Sequence, residues 1–131
     1  MVIAMVAHET ERDPQATHRL YISEAAFKSL VLAIYHLSVR EFDICSPRRL
    51  LTEVLKGAES PLSRLDDGQL NRVCDSSVVS GRLRVTIRLD SSVNDLMREF
   101  RENAEYRLGR SISVAEAVYA CSYAANLDQI A

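Results

Sequence analysis

The chain has 131 residues, 47% hydrophobic and 26% charged, with no Trp, three Phe and five Tyr. Those proportions are ordinary for a soluble globular protein, and exclude anything larger than one compact domain or two very small ones sharing a largely aliphatic core. The formal charge of −2 does not announce a nucleic-acid binder. Its distribution says more than its sum. Segment 17–56 holds six Lys/Arg against four Asp/Glu, segment 82–110 holds seven against five, and fourteen of the sixteen basic residues are Arg.

Residues 1–16 open with the apolar run MVIAMVA, which is short, lacks a basic flank and leads into His8-Glu9-Thr10-Glu11. We expect a flexible arm there, neither a signal peptide nor a membrane span. Thr17 to Ile22 alternates as a short strand, and Ser23 caps a helix whose stripe is Phe27, Leu30, Val31, Ile34 and Leu37. A break at 43–47 ends in Ser46-Pro47, an N-cap followed by Pro at the first helical position, and a shorter helix spans about 47–58. Segment 59–81, rich in Ser and Asp with Pro and two Gly, reads as a linker with a helical turn around Asp67–Val73. Arg82 to Leu89 then alternates polar and apolar over eight residues, the pattern of a half-buried strand. Asp90 caps a helix with the stripe Val93, Leu96, Met97, Phe100 and Ala104, and after a break at 108–111 a last helix covers 112–126.

The order strand, helix, helix thus occurs twice, and a shift of 67 aligns the apolar positions without a gap. Leu20 and Ile22 fall on Ile87 and Leu89; Ala26, Leu30, Ala33 and Leu37 fall on Val93, Met97, Phe100 and Ala104; Ser46 falls on Ser113. One strand with two short helices cannot cover its own apolar faces, and a lone strand leaves its backbone unpaired. Two units solve both problems if 17–22 pairs antiparallel with 83–89 in the same chain. The inner face of that ribbon is expected to carry Leu20, Ile22, Leu83, Val85, Ile87 and Leu89. Its outer face would carry Thr17, Arg19, Tyr21, Arg82, Arg84, Thr86 and Arg88, with no acid from Arg82 to Leu89. A two-stranded ribbon fits the major groove of B-DNA, where Arg can pair with guanine and Thr can meet a base edge or a thymine methyl.

The run Arg84-Val85-Thr86-Ile87-Arg88-Leu89-Asp90, the amphipathic helix after it and the turn Gly109-Arg110-Ser111-Ile112-Ser113 resemble the ribbon-helix-helix family of the Arc and MetJ repressors. The resemblance covers about 82–126, and 17–58 more weakly through the repeat. It implies a mainly α fold with a two-stranded antiparallel ribbon, made of two ribbon-helix-helix repeats fused in one chain as a pseudo-dimer. Tandem forms are similar to the TraY type of conjugative plasmids and to the accessory protein of the virC locus on Ti plasmids. That implies a partner in double-stranded DNA, contact with a relaxase or other transfer proteins, and work without catalysis; the acidic balance, which lets each chain neutralise few phosphates, suggests clustering of several units on repeated sites. In the family's arrangement Arg84, Thr86 and Arg88 read bases, matched by Thr17, Arg19 and Tyr21 in the first half. The amides of Ser111, Ile112 and Ser113, beside Arg110, hold a phosphate, and in the first half Ser46, Arg48 and Arg49 stand in for them. A transcriptional repressor or antitoxin-like autoregulator of the same fold is the first alternative. A helical interaction module that never touches DNA is the alternative of another class.

No motif for nucleophilic catalysis, nucleotide binding or paired-carboxylate chemistry is present, so neither an enzyme nor a cofactor is expected. His8, His18 and His36 have no ligand spacing, and no metal is expected. Cys45, Cys74 and Cys121 are odd in number without a CxxC, which reads as reduced thiols in a cytoplasmic protein.

Overall fold

The computed structural model describes residues 15–129, so the expected arm lies outside the described residues apart from Gln15 and Ala16, which already belong to a strand. In chain order the elements are β1 (Gln15–Ile22), α1 (Glu24–Glu41), α2 (Pro47–Lys56), a 3-10 turn (Pro61–Arg64), α3 (Asp67–Val73), α4 (Ser76–Val79), β2 (Leu83–Asp90), α5 (Ser91–Leu108) and α6 (Val114–Leu127). The protein is mainly helical, with one two-stranded sheet in which β1 and β2 pair antiparallel within the chain.

Alternation gives the ribbon its two faces. Leu20, Ile22, Ile87 and Leu89 are buried, and Val85 is half-buried. Leu83, expected inside, is 38% exposed at the start of β2, although Ile22 opposite it is buried. His18 falls on the inner side, where its Nε2 meets Asn94 Oδ1 at 2.7 Å.

Ser23 caps α1, its Oγ accepting the Ala26 amide at 3.1 Å. The buried face of this helix is Ala26, Leu30, Ala33 and Leu37. Phe27 and Val31, expected in the stripe, are instead 39% and 47% exposed. The reason is close helix packing: α1 lies chiefly against α6, whose Ala117, Ala120 and Ala124 are buried. Two alanine-lined surfaces approach where larger side chains would hold them apart. The pairing is fixed by Ser29 Oγ to Ser122 Oγ at 2.9 Å and by Asn126 Nδ2 donating to the Ser29 carbonyl at 3.0 Å.

Pro47 opens α2 behind the Ser46 cap as expected, and Leu50 and Leu51 are its buried residues. Segment 59–81 is no loose linker. It forms the 3-10 turn, α3 and α4, and it adds Leu62, Leu65, Leu70, Val73, Cys74 and Val79 to the single core. Its last residues close the end of the ribbon: the Ser23 amide donates to the Val79 carbonyl at 2.7 Å. At Gly81 a Cβ would sit 2.5 Å from both the Ile22 oxygen and the Ser23 Cα, so backbone meets backbone and only glycine fits.

The long helices α1 and α5 begin and end 67 residues apart, as do the starts of α2 and α6. Phe42 and Gly109, also 67 apart, close α1 and α5 in the left-handed region (φ 53° and 69°), each amide reaching the equivalent carbonyl, Ser38 or Glu105. The buried residues of α5, Val93, Met97, Phe100 and Ala104, stand at the same offset from those of α1.

Candidate nucleic-acid interface

The outer ribbon face is built from three cross-strand rungs: Thr17 opposite Arg88, Arg19 opposite Thr86, and Tyr21 opposite Arg84. All six residues are exposed, and Arg82 is exposed just before β2. Each rung therefore offers one guanidinium and one hydroxyl. Arg19 and Thr86 are 67 apart and face each other, so a pseudo-two-fold axis passes through the middle rung and exchanges the outer two. That axis swaps Thr17 with Arg84 and Tyr21 with Arg88. No outer position carries the same side chain in both halves.

The state of the arginines separates this face from the rest of the surface. Arg40, Arg48, Arg49, Arg64, Arg98, Arg101, Arg107 and Arg110 each meet a carboxylate, an amide or a backbone carbonyl of the chain. Arg19, Arg82, Arg84 and Arg88 make no ion pair or hydrogen bond among the described residues, and away from the ribbon only Arg72 shares that state. The one outward acid of the ribbon, Asp90 at the far end of β2, is held by Arg48 Nη2 at 2.5 Å. Gln15, opposite it, accepts from the same guanidinium at 3.0 and 3.2 Å once its amide oxygen is turned inward. With its carboxylate engaged there, Asp90 gives α5 no side-chain cap.

The starts of α2 and α6 differ in a way the sequence reading had reversed. At α6 the Ile112 amide donates to Glu105 Oε2 at 2.8 Å and the Ser113 amide to Glu116 Oε1 at 3.0 Å. Ile112 is buried and Ser111 exposed. Arg110 is tied to Asn71 Oδ1 (2.6 Å) and to the Cys74 carbonyl (2.9 Å) at the end of α3. Of the expected phosphate clamp, the Ile112 and Ser113 amides are thus already taken by the chain's own carboxylates, which would repel a phosphate, and Arg110 is turned to α3, while Ser111 stays exposed. At α2 the corresponding Cys45 amide is satisfied by a neutral group, Ser38 Oγ at 3.0 Å. The first turn of α2 contains no acid, and Arg48 and Arg49 stand where α6 has Ala115 and Glu116. A shallow hollow lined by Cys45, Ser46, Arg48, Arg49, Thr52 and Asp90 opens between this helix start and the ribbon end. The anion-compatible helix start is the first-half one.

The sequence reading missed Gln15 and Asp90, although extending the alternation of β1 by one step and of β2 to its end would have put both on the outer face. It also missed the anchoring of Arg110 by α3, which no local pattern announces. The three thiols are free and buried. Burial pushes Cys74 up to about 11, helped by the Glu116 carboxylate, and pushes Cys121 up to about 12. Neither is a nucleophile at neutral pH. Among the described residues no cluster of His, Cys, Asp or Glu could hold a metal ion, and no helix is long and apolar enough to cross a membrane. Compared with known proteins, the chain matches no family model, no curated protein and no solved structure.

Proposed function

We propose that the chain is a double-stranded DNA-binding protein of the tandem ribbon-helix-helix type, which lays β1 and β2 in the major groove and reads an asymmetric site. The observation that carries this reading is the concentration of unpartnered arginines on one exposed ribbon face, while nearly every other described arginine is engaged. Four guanidiniums left unpaired beside each other repel; a polyanion relieves that repulsion and gives each a charge-assisted partner. Arg88, Arg19 and Arg84 alternate between the strands along the ribbon. Each can reach a guanine edge bidentately, with Thr17 and Thr86 beside them to meet a thymine methyl or a base edge. The start of α2, with Arg48 and Arg49, then meets a backbone phosphate at one end of the ribbon and fixes its register.

Within that class we infer an accessory role in conjugative or T-DNA transfer, marking an origin or border for a relaxase and other transfer proteins. Homodimeric repressors have two-fold symmetry and read palindromes. Here the pseudo-axis exchanges Thr17 with Arg84 and Tyr21 with Arg88 at the outer rungs and Arg19 with Thr86 at the central one, which suits a site without dyad symmetry. Selection from a pool of randomised duplexes tests the reading. The expected product is one short, non-palindromic motif with guanines at the Arg-facing positions. A palindromic motif would favour the repressor alternative, and a pool that fails to enrich would end the DNA reading.

A further inference from the structure

A belt of apolar side chains runs along the solvent side of α1. Phe27, Val31, Tyr35 and Val39 recur every four residues and are 39%, 47%, 58% and 54% exposed. Leu32 lies beside them, 46% exposed. The belt continues past the helix end through Phe42 and Ile44, each 95% exposed, which share a shallow hollow with Val39. The second half supplies an internal control. At the positions 67 residues on stand Asn94, Arg98, Glu102 and Tyr106 for the stripe, Glu99 for Leu32, then Gly109 and Ser111. Only one of these is apolar, so the architecture does not require an apolar surface here. It belongs to the first half alone.

Phe42 adds a second, independent sign. It takes a left-handed conformation that Gly109 adopts freely in the other half, and its side chain makes almost no contact within the chain. An exposed aromatic in that conformation is strained relative to glycine. Nothing within the described chain offsets the cost.

We propose that this face binds a second copy of the chain, α1 packing antiparallel on α1 about a two-fold axis. The stripe is nearly self-complementary: reversed, it sets Phe27 over Val39 of the second copy and Val31 over its Tyr35. Opposed helix dipoles favour the same sense. The seven side chains present roughly 600–800 Å² of accessible surface, close to what one partner contributes to a standard interface. A lone apolar patch of that size is large for a monomer. Such a dimer carries two ribbons, and linked ribbons gain affinity on paired sites without new contacts.

The test is sedimentation equilibrium of the full chain without DNA, across the micromolar range. The wild type is expected to be a reversible dimer. Tyr35→Glu is expected to be monomeric, with its far-UV spectrum and cooperative melting intact, whereas Glu102→Ala at the equivalent position leaves association unchanged. Phe42→Gly separates docking from folding: it weakens the dimer about tenfold or more, yet raises the melting temperature of the monomeric Tyr35→Glu chain. A wild type that stays monomeric at every concentration overturns the proposal, as does a Tyr35→Glu chain that still dimerises. A wild type that becomes dimeric only after removal of residues 1–14 overturns it too, since that segment would then be the occupant. None of these readouts involves DNA, so they stand or fall apart from the ribbon reading.

Discussion

The starts of α2 and α6 lie 67 residues apart in the chain and differ in what surrounds them. At α6 two backbone amides are closed off by Glu105 and Glu116, Arg110 is drawn away to the end of α3, and Ile112 is buried. At α2 the corresponding places hold Ser38, Arg49, Asp43 and Cys45, so no carboxylate closes the amides there, and Arg48 and Arg49 are themselves paired with Asp90, Glu41 and Glu53. One helix start has been made a structural joint and the other left able to meet an anion. The ribbon divides its work in the complementary way, with three exposed arginines from the second half (Arg82, Arg84, Arg88) and one, Arg19, from the first. The lesson is that fold-equivalent positions state where a group can act, and their charged neighbours decide whether it does.

The contrast can be broken most forcefully through the core. Ile112 is fully enclosed beneath the α6 joint, and its counterpart Cys45 is a smaller buried side chain at the α2 start. Ile112→Ala should cost about 2–5 kcal/mol by creating a cavity, against about 1 kcal/mol for Cys45→Ala. Urea unfolding of the two variants measures both, and equal losses would show the two joints to be alike.

The next effect concerns recognition. Arg84 and Thr17 are exchanged by the pseudo-axis, and Arg84→Ala should weaken binding to the selected duplex by about 1–3 kcal/mol. Thr17→Ala should cost under about 1 kcal/mol, because a single hydroxyl or methyl contact is lost. Neither change should move the melting temperature, both side chains being on the exposed face. Anisotropy titrations with specific and random duplexes would sharpen the comparison; an equal loss on both duplexes would make Arg84 a phosphate contact.

A smaller effect is expected at the helix caps themselves. Glu116 closes a capping box with Ser113, so Glu116→Ala should destabilise by about 1 kcal/mol. Arg49→Ala, at the equivalent exposed position, should stay within about 0.5 kcal/mol. Thermal melts in low salt would register the difference, and a larger loss at Arg49 would mean that its ion pairs with Glu41 and Glu53 hold the helix start.

Much of this organisation was legible in the residues. Alternation from Arg82 to Leu89 gave β2, and the Ser46-Pro47 pair gave the start of α2, because both signals are local. For α1 two readings competed. Residue type favoured Phe27 and Val31 in the stripe, while the 67-residue alignment put Ala26 and Ala33 opposite Val93 and Phe100, and the buried face follows the alignment. Alanine carries little weight in a hydrophobic pattern, yet it is what allows α1 and α6 to approach. Segment 59–81 was legible only at Asp67–Val73, where the expected helical turn is a helix; its packing was not. Its short helices gain stability from Leu62, Leu65, Leu70 and Val79 entering a core assembled elsewhere, and from Gly81 touching the Ile22–Ser23 backbone. The closure of the α6 amides depends in part on Glu105, seven residues before Ile112 and across a break, a pairing no capping rule anticipates.

The central claim, that the free arginines of the ribbon and the start of α2 face a DNA backbone and groove, is tested most directly by the salt dependence of duplex binding. The logarithm of the binding constant should fall linearly with the logarithm of salt concentration, by about 0.9 per phosphate neutralised. Arg48→Ala together with Arg49→Ala should flatten that slope while keeping the preferred sequence, and Arg110→Ala, just ahead of α6, should leave it unaltered. A slope near zero in the wild type, or a loss of slope from Arg110→Ala equal to that from the Arg48 and Arg49 pair, would contradict the account.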